Sequence, residues 1–263
     1  MRTGAGALTN SWAKTLKQIR VPFPSLARVV ELYAGESIVV IAAPGVGKTL
    51  FALNFAAQSG AKTLYLSADT SERNVSLNLA AMATGELKED IKKAIKETNP
   101  DYREAIKDYE AEIRKAFPNL IVDNSPSISL EAVVQKSYAL ADIWGDYPEL
   151  LVLDIATNIE RPSDDYGSWD QLWNQIKMVA RHLGCGVLVL HHVKEGYAAN
   201  GNVAPQLSDG QYKPHKHLEI ELGLYRPGPH EFRVIVLKNR DGKDQVTIPM
   251  VMDYPTATLI DNA

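Results

Sequence analysis

The 263-residue chain has very little cysteine, since Cys185 is the only one. A lone thiol forms no internal disulfide and builds no cysteine-based zinc site, so disulfide-rich secreted scaffolds and zinc ribbons are excluded. A single cysteine next to an apolar run is most often a small buried hydrophobe. We therefore expect Cys185 to be buried and unreactive, in a protein of a reducing, cytoplasmic compartment.

The sequence also lacks long hydrophobic runs and an excess of positive charge. No apolar stretch approaches the roughly 20 residues of a membrane span, and residues 1–11 lack the apolar core of a signal peptide. The formal net charge is −4, so no global basic field attracts the chain to nucleic acid. We expect no membrane association, and contacts with DNA or RNA only through a local patch or through loops pooled by several subunits.

The most informative motif that is present occupies residues 42–49, Ala-Ala-Pro-Gly-Val-Gly-Lys-Thr, between an apolar run and a helix-like run. Such a loop points successive backbone N–H groups at phosphate oxygens, and the following helix adds the positive end of its dipole. Lys48 would contact the β- and γ-phosphates, and the Thr49 hydroxyl would hold Mg²⁺. The predicted ATP-binding residues are Ala43, Pro44, Gly45, Val46, Gly47, Lys48, Thr49 and Leu50.

Short apolar runs alternate with longer helix-like runs along most of the chain. Almost wholly apolar strands separated by helices indicate a mostly parallel sheet with helices on both faces, a doubly wound α/β fold. Strand-like runs from about residue 218 onward, separated by short turns, predict a C-terminal antiparallel hairpin extension. The predicted strands are 37–43, 63–66, 120–122, 150–154 and 187–191, and the predicted helices are 48–59, 72–84, 88–116, 128–144 and 168–184.

Two of the predicted strands end in aspartate. Asp154 follows four apolar residues, where its carboxylate would hold Mg²⁺ through water. Asp69 ends the strand after the phosphate-loop helix, where it would polarise an attacking water. Two alternatives stay open, because strands often end in Asp for turn reasons and because Asp69, Thr70 or Ser71 would equally cap the next helix.

Two further pairs of polar residues stand at strand ends. His191 and His192 are adjacent on a strand, so their side chains point to opposite faces. His192 would hydrogen-bond a phosphate oxygen and sense its presence; the alternative is that both histidines are packing residues. Lys238 and Arg240 lie beside a turn, where a cation would stabilise transition-state charge in its own subunit or in a neighbour. The alternative for them is a turn with solvated charges.

Several of these motifs occur in one order and spacing, in seven blocks: residues 22–26, 34–49, 66–69, 121–128, 153–154, 190–192 and 236–242. Together they resemble the RecA-like ATPase domain of DnaB-type replicative helicases, and the His-His pair is more similar to RepA-type plasmid helicases. The resemblance spans about residues 20–250. It implies a RecA-like P-loop NTPase core over residues 31–263, preceded by an N-terminal arm or linker helix in residues 1–30.

The resemblance implies a function and partners. It suggests an ATP-hydrolysing DNA helicase of phage or plasmid replication that translocates on single-stranded DNA as a hexameric ring, with a helicase loader or primase as a further partner. Two alternatives stay open. One is a RecA-like recombination or annealing ATPase that forms filaments. The other is a nucleotide-switched adaptor or loader that does not hydrolyse ATP.

The resemblance also implies roles for single residues. Asp154 corresponds to the family's second acidic motif, and Asp69 stands where the family usually has a catalytic glutamate. His192 stands where DnaB-type proteins usually carry glutamine. Lys238 and Arg240 match a Lys-x-Arg pair that reaches into the nucleotide of the adjacent subunit.

Two long polar segments, 156–168 and 194–217, correspond to the DNA-facing channel loops of the family. The residues that would contact DNA phosphates are Lys194, Lys213 and Lys216, and the tyrosines available for base stacking are Tyr197 and Tyr212.

Overall fold

The structure, a computed structural model, describes residues 17–97, 102–163, 165–194, 201–228 and 231–261. The strands are β1 (Gln18–Ile19), β2 (Leu32–Tyr33), β3 (Ser37–Ala42), β4 (Thr63–Ser67), β5 (Leu120–Asp123), β6 (Leu150–Asp154), β7 (Gly186–His192), β8 (Ile220–Tyr225), β9 (Phe232–Asn239), β10 (Val246–Asp253) and β11 (Thr258–Asp261). The helices are α1 (Pro24–Ala27), α2 (Lys48–Ser59), α3 (Glu72–Thr84), α4 (Lys88–Glu97), α5 (Tyr102–Ala116), α6 (Leu130–Trp144) and α7 (Tyr166–Leu183). Within these described ranges, no helix combines the length and the apolar character that crossing a bilayer requires.

Nine of the strands form one sheet in the order β11-β10-β9-β8-β3-β7-β6-β4-β5. The six strands from β8 to β5 pair in parallel with one another, and β9, β10 and β11 extend the sheet by antiparallel pairing. Strand β8 belongs to both parts, because it pairs with β3 on one side and β9 on the other. The predicted α/β fold with a C-terminal antiparallel extension is confirmed.

The parallel strands are apolar along their length because they are buried on both faces. Every residue of β3 and of β6 is buried. Helix α7 contacts β3 and β7 through the predicted stripe, in which Leu172, Ile176 and Leu183 are buried and Val179 is partly buried. Each fully buried leucine or isoleucine side chain contributes about 1.5–3 kcal/mol to folding, so this stripe fixes α7 on the sheet.

The segment before residue 31 packs into the main core. Phe23 is almost fully buried, and its ring centroid lies 5.5 Å from that of Phe51 in α2. Leu26 and Val30 belong to the same cluster of buried side chains. The earlier part of the predicted arm, residues 1–16, lies outside the described residues.

The charged stretch 88–116 forms two helices rather than one. Helices α4 and α5 pack on α3 and on each other, around a small separate cluster that includes Ala80, Ala81 and Ile91. Most of the charged side chains of these helices stay outside this cluster.

Cys185 is fully buried immediately before β7. Burial raises the pKa of its thiol to about 12, so the thiolate does not form at physiological pH. The expectation of a buried, unreactive cysteine is confirmed.

Candidate nucleotide site

The glycine-rich loop lies where the sequence predicts it, between the carboxyl end of β3 and the start of α2. Gly47 has a φ of 118°, a conformation that side-chain-bearing residues rarely adopt. A Cβ there would lie 3.4 Å from the ring of Phe232 and 3.5 Å from the hydroxyl of Tyr254. These are ordinary van der Waals distances, so it is the backbone conformation that favours glycine at this position.

Lys48 is the first residue of α2, and it is buried inside the loop. Its Nζ donates hydrogen bonds to the carbonyl oxygens of Ala42 (3.0 Å) and Ala43 (3.3 Å). Burial lowers the pKa of Lys48 to about 8, and the negative charges of Asp154 and Asp69 oppose that shift. The ammonium group is thus held at the carboxyl edge of the sheet, inside the glycine-rich loop.

Asp154 ends β6 and is 1% exposed. Burial raises the pKa of its carboxyl to about 6, although hydrogen bonds from Tyr65 and Thr49 favour the ionised form. The Tyr65 hydroxyl donates to Oδ2 at 2.8 Å. Tyr65 was not among the predicted site residues, because it is one of three hydroxyl-bearing residues in β4 and nothing in the sequence sets it apart.

Asp69 lies just beyond the end of β4 and is exposed. The N-cap of α3 is Ser71, one of the three residues that the capping alternative names, and Asp69 itself does not cap that helix. The carboxylate of Asp69 is close enough to act electrostatically on Lys48, Asp154 and His192. Its charge therefore belongs to the same sheet edge as the phosphate loop.

The two adjacent histidines lie in different surroundings, as strand alternation predicts. His192 pairs with Ala42 at the carboxyl ends of β7 and β3. It is partly buried, and no residue of the described chain hydrogen-bonds its Nδ1. Burial and, to a smaller extent, the charge of Lys48 lower its pKa. A neutral imidazole with an unused ring nitrogen thus stands beside the phosphate loop.

His191 points to the other face of the sheet and is completely buried. Its ring centroid lies 5.1 Å from those of Trp169 and Trp173, and its Nε2 is 3.0 Å from the carbonyl oxygen of Gln211. Burial lowers the pKa of His191 to about 3. This histidine is a neutral packing residue.

The oxygen atoms near the loop fit a magnesium–nucleotide complex better than a protein-held metal. The described part of the chain contains no cluster of three or more His, Cys, Asp or Glu side chains suited to a metal. Mg²⁺ commonly uses one or two protein oxygens and takes its other ligands from phosphates and water. The Thr49 hydroxyl and the Asp154 carboxylate lie together and match that donor set.

An aromatic residue that the sequence did not reveal closes one side of the loop. Tyr254 follows β10, and its hydroxyl donates to the carbonyl oxygen of Val46 at 3.2 Å. The guanidinium of Arg226 lies 4.6 Å from the centre of the Tyr254 ring. Tyr254 and Val46 are 208 residues apart in the chain, so only the folded sheet brings them together.

Lys238 and Arg240 lie away from the phosphate loop of their own chain. Asn239 pairs with Ile220, which pairs with Ile38 near the amino end of β3. Arg240 is therefore about one strand length, roughly 17 Å, from the loop. The side chain of Arg240 is 51% exposed, whereas Lys238 Nζ donates to the carbonyl oxygens of His215 and Leu218 in its own chain.

The two long polar segments are joined by a stack of side chains. The ring of Trp169 lies parallel to that of Tyr212, with centroids 4.3 Å apart. The guanidinium of Arg161 lies 4.0 Å from the centre of the Trp169 ring. Arg161 belongs to the first polar segment and Tyr212 to the second. Because both side chains pack on Trp169, the positions of the two segments depend on each other.

The lysines of the second segment differ in their surroundings. Lys213 and Lys216 are exposed, and Lys216 lies 5.8 Å from the centre of the Tyr166 ring. Lys194 Nζ donates to the carbonyl oxygen of Ser208. Tyr197 lies outside the described residues.

The parallel sheet, the glycine-rich loop at its carboxyl edge and the antiparallel extension define a RecA-like ATPase-domain fold. Residues 9–197 match the family model described as "AAA domain", which is more than half of the chain. The chain therefore belongs to this AAA-domain family.

Two phage proteins are similar to the chain over most of their length. The Gene 65 protein of Mycobacterium phage L5 is 30% identical over 220 residues, covering 81% of this chain and 79% of that protein. The Gene 65 protein of Mycobacterium phage D29 is 29% identical over 231 residues, covering 85% and 95% respectively.

Two solved structures share the fold. One is an ATPase domain, which superposes with a TM-score of 0.81 at 18% identity and covers 100% of both chains. The other is a DnaB-like replicative helicase, whose structure was reported with its interactions with primase. It gives a TM-score of 0.80 at 17% identity, covering 99% of this chain and 67% of that one. The predicted likeness to the RecA-like domain of DnaB-type helicases is confirmed at the level of fold.

Proposed function

We propose that the chain is a Mg²⁺-dependent ATPase that translocates on single-stranded DNA as a ring, in the replication of a phage or plasmid. The observation that carries this proposal is the convergence of Lys48, Asp154 and Asp69. They come from three different segments, yet their charges act on one another at the edge that carries the phosphate loop. Ligands of open α/β sheets bind at this edge.

Each residue of the site would then have its own role in binding or hydrolysis. Lys48 and the loop backbone would bind the phosphates, and Thr49 and Asp154 would hold Mg²⁺, which when bound supplies charge neutralisation for phosphoryl transfer. Asp69 would act as a general base for the attacking water. His192 would lie beside the terminal phosphate and sense its loss.

The nucleotide base would extend from the loop toward Tyr254. The guanidinium of Arg226 lies over the ring of Tyr254, beside Val46. Flat cationic and aromatic groups stack well on a base. In this proposal Arg226 and Tyr254 separate or shift so that they contact the base once ATP is bound.

The position of Arg240 supports assembly of several copies. Because this exposed residue lies at the amino edge of the sheet, it can complete a nucleotide site only in a neighbouring subunit. A contact between opposite edges of two copies is head-to-tail, and it closes into a ring or continues as a filament. We propose a ring, with the six subunits that the resemblance implies.

DNA binding would rest on local charge. The net charge of −4 opposes general attraction to DNA, whereas Lys213 and Lys216 are exposed on the second polar segment. Several copies in a ring would bring these lysines together around one strand. We further propose a helicase loader or primase as partner and the host cytoplasm as location.

Two other functions remain as alternatives within the same fold. A recombination or annealing ATPase would use the same site in filaments and separate no duplex. A nucleotide-switched adaptor would bind ATP without hydrolysing it, and it is favoured by one observation, that Asp69 is a methylene shorter than the glutamate usual in the DnaB-type family.

Electron microscopy of the negatively stained protein separates these functions. The protein is imaged with a non-hydrolysable ATP analogue, with and without single-stranded DNA, and its ATP hydrolysis is measured in parallel. We expect closed six-fold particles and hydrolysis that DNA stimulates. Long fibres would favour the recombinase, and nucleotide binding without any hydrolysis would favour the adaptor.

The buried carboxyl of Asp154 predicts an acid limb in the pH dependence of hydrolysis. Its pKa of about 6 means that the carboxylate is lost as the pH falls below 6, so kcat/KM should drop about tenfold per pH unit there. Tyr65→Phe removes a hydrogen bond that favours the ionised form, so its acid limb should move to higher pH. Steady-state rates from about pH 5 to about pH 8 test this, and an acid limb that stays in place in Tyr65→Phe would contradict the assignment.

A further inference from the structure

A buried carboxylate lies at the amino edge of the sheet, outside the nucleotide site of its own chain. Glu219 immediately precedes β8 and is 5% exposed. Its Oε2 accepts a hydrogen bond from the backbone N–H of Ser37, the first residue of β3, at 3.1 Å. Buried carboxylates are stable only when their charge is compensated. The partners of the second carboxylate oxygen therefore indicate the role of Glu219.

That second oxygen, Oε1, faces two cations. Lys177 Nζ of α7 lies 3.5 Å away, and Arg240 Nη1 lies 3.9 Å away. The backbone N–H of Arg240 also donates to the carbonyl oxygen of Glu219 at 3.2 Å. Side chain and main chain of Glu219 thus both contact Arg240.

Within the described residues, Glu219 is the one acidic group within 4.0 Å of the Arg240 guanidinium. The Arg240 side chain is half exposed, so part of it faces solvent. Two further cations, Lys177 and Lys238, are near enough to repel one another electrostatically, and Glu219 offsets their charge. Without this carboxylate, Lys177 and Arg240 would lose the ion-pair partner that they share, and Glu221 would be left to offset the charge of Lys238.

We infer that Glu219 is a positioning residue that holds Arg240 at the protomer surface, oriented toward the nucleotide of the adjacent subunit. This inference rests on the proposed function, because it concerns the same ATP site completed by a neighbour. Glu219 lies at the amino edge of the sheet, away from the phosphate loop of its own chain, so in this proposal its effect on hydrolysis passes through Arg240.

The test uses Glu219→Gln in the full chain. Glutamine keeps the volume and the acceptor for the Ser37 N–H but removes the charge. We expect kcat of the assembled ATPase to fall about 10- to 100-fold, as for a misplaced catalytic group, with KM for ATP unchanged. Glu36→Gln is the matched control: Glu36 is a partly buried carboxyl near Arg240 that is bonded instead to the N–H of Tyr33, and its loss should leave kcat unchanged.

Two combinations distinguish positioning from a general structural role. Mixing Glu219→Gln with Lys48→Ala should restore hydrolysis above that of either variant alone, because an intact Arg240 from one variant then completes the intact loop of the other. The double variant Glu219→Gln/Arg240→Ala should be no slower than Arg240→Ala, because the two residues act as one unit. A wild-type rate in Glu219→Gln, losses that add, or a defect that mixing does not relieve would overturn the inference.

Failure of the proposed function has a separate signature. A wild-type chain without hydrolysis, or an Arg240→Ala defect that Lys48→Ala does not relieve, would overturn both proposals. Relief of Arg240→Ala without relief of Glu219→Gln would overturn the role of Glu219 alone. Thermal unfolding and assembly are measured for each variant. If Glu219→Gln is unfolded, Glu219→Asp, which keeps the charge but shortens the side chain, should fold and give a kcat below that of the wild type.

Discussion

Replacing Lys48 by alanine is expected to abolish ATP turnover. Its ammonium group is held inside the glycine-rich loop by the carbonyl oxygens of Ala42 and Ala43. Removing one preorganised donor to developing negative charge alone costs about 10²–10³-fold in kcat. The loss of phosphate binding by Lys48 adds to this, so turnover should fall to the background of the assay. Steady-state phosphate release measures the effect.

The control for Lys48→Ala is an exposed lysine far from the loop. Lys115 lies on α5 with its side chain 78% exposed, so Lys115→Ala should keep the wild-type rate. Lys48→Ala should also fold normally, since it removes a buried charge whose pKa burial has already lowered to about 8. Turnover that survives in a folded Lys48→Ala protein would show that the phosphate-loop assignment is wrong.

Replacing Arg240 by alanine is expected to lower hydrolysis by about 10³–10⁵-fold, the range for arginine residues that stabilise phosphoryl transfer. ATP binding to a single protomer should persist, because Arg240 lies about one strand length from its own loop. Mixing Arg240→Ala with Lys48→Ala should restore part of the activity. The measurements are hydrolysis in mixtures of varied ratio and binding of a fluorescent ATP analogue.

The control for Arg240→Ala is Arg114→Ala, because Arg114 is 68% exposed on α5 and forms an ion pair with a residue of the same helix. Arg114→Ala should hydrolyse ATP at the same rate as the wild type, both alone and in mixtures with Lys48→Ala. Absence of any restoration between Arg240→Ala and Lys48→Ala would argue against a residue donated to the neighbouring subunit. Loss of ATP binding in the Arg240→Ala protomer would argue that Arg240 acts within its own chain or on folding.

Local patterns in the sequence were enough to predict the sheet and the loop. The uninterrupted apolar runs at β3 and β6 required burial on both faces, and the spacing of Leu172, Ile176 and Leu183 required one apolar helix face. The glycines of the phosphate loop and the aspartate at the end of β6 follow from the chemistry of phosphate and magnesium. Each of these signals lies within a short stretch of the chain.

The features that the sequence did not predict depend on contacts between distant segments. Tyr254 reaches Val46 only after β10 has joined the sheet, and Tyr65 reaches Asp154 only because β4 and β6 are neighbours. In the sequence, Glu219 is an ordinary charged residue next to a strand. Only the folded structure brings Arg240 and Ser37 into contact with it. Strand order decides these pairs, and periodicity carries no information about strand order.

The stack of Arg161, Trp169 and Tyr212 gives the protein a built-in optical reporter. An indole held against a cation and a phenol ring has an emission that depends on both neighbours. Any displacement of either polar segment, whether by ATP or by DNA, must change the surroundings of Trp169. The chain has four tryptophans, so the fluorescence of a variant in which the other three are replaced by phenylalanine can follow the motion of these segments in real time without a foreign dye.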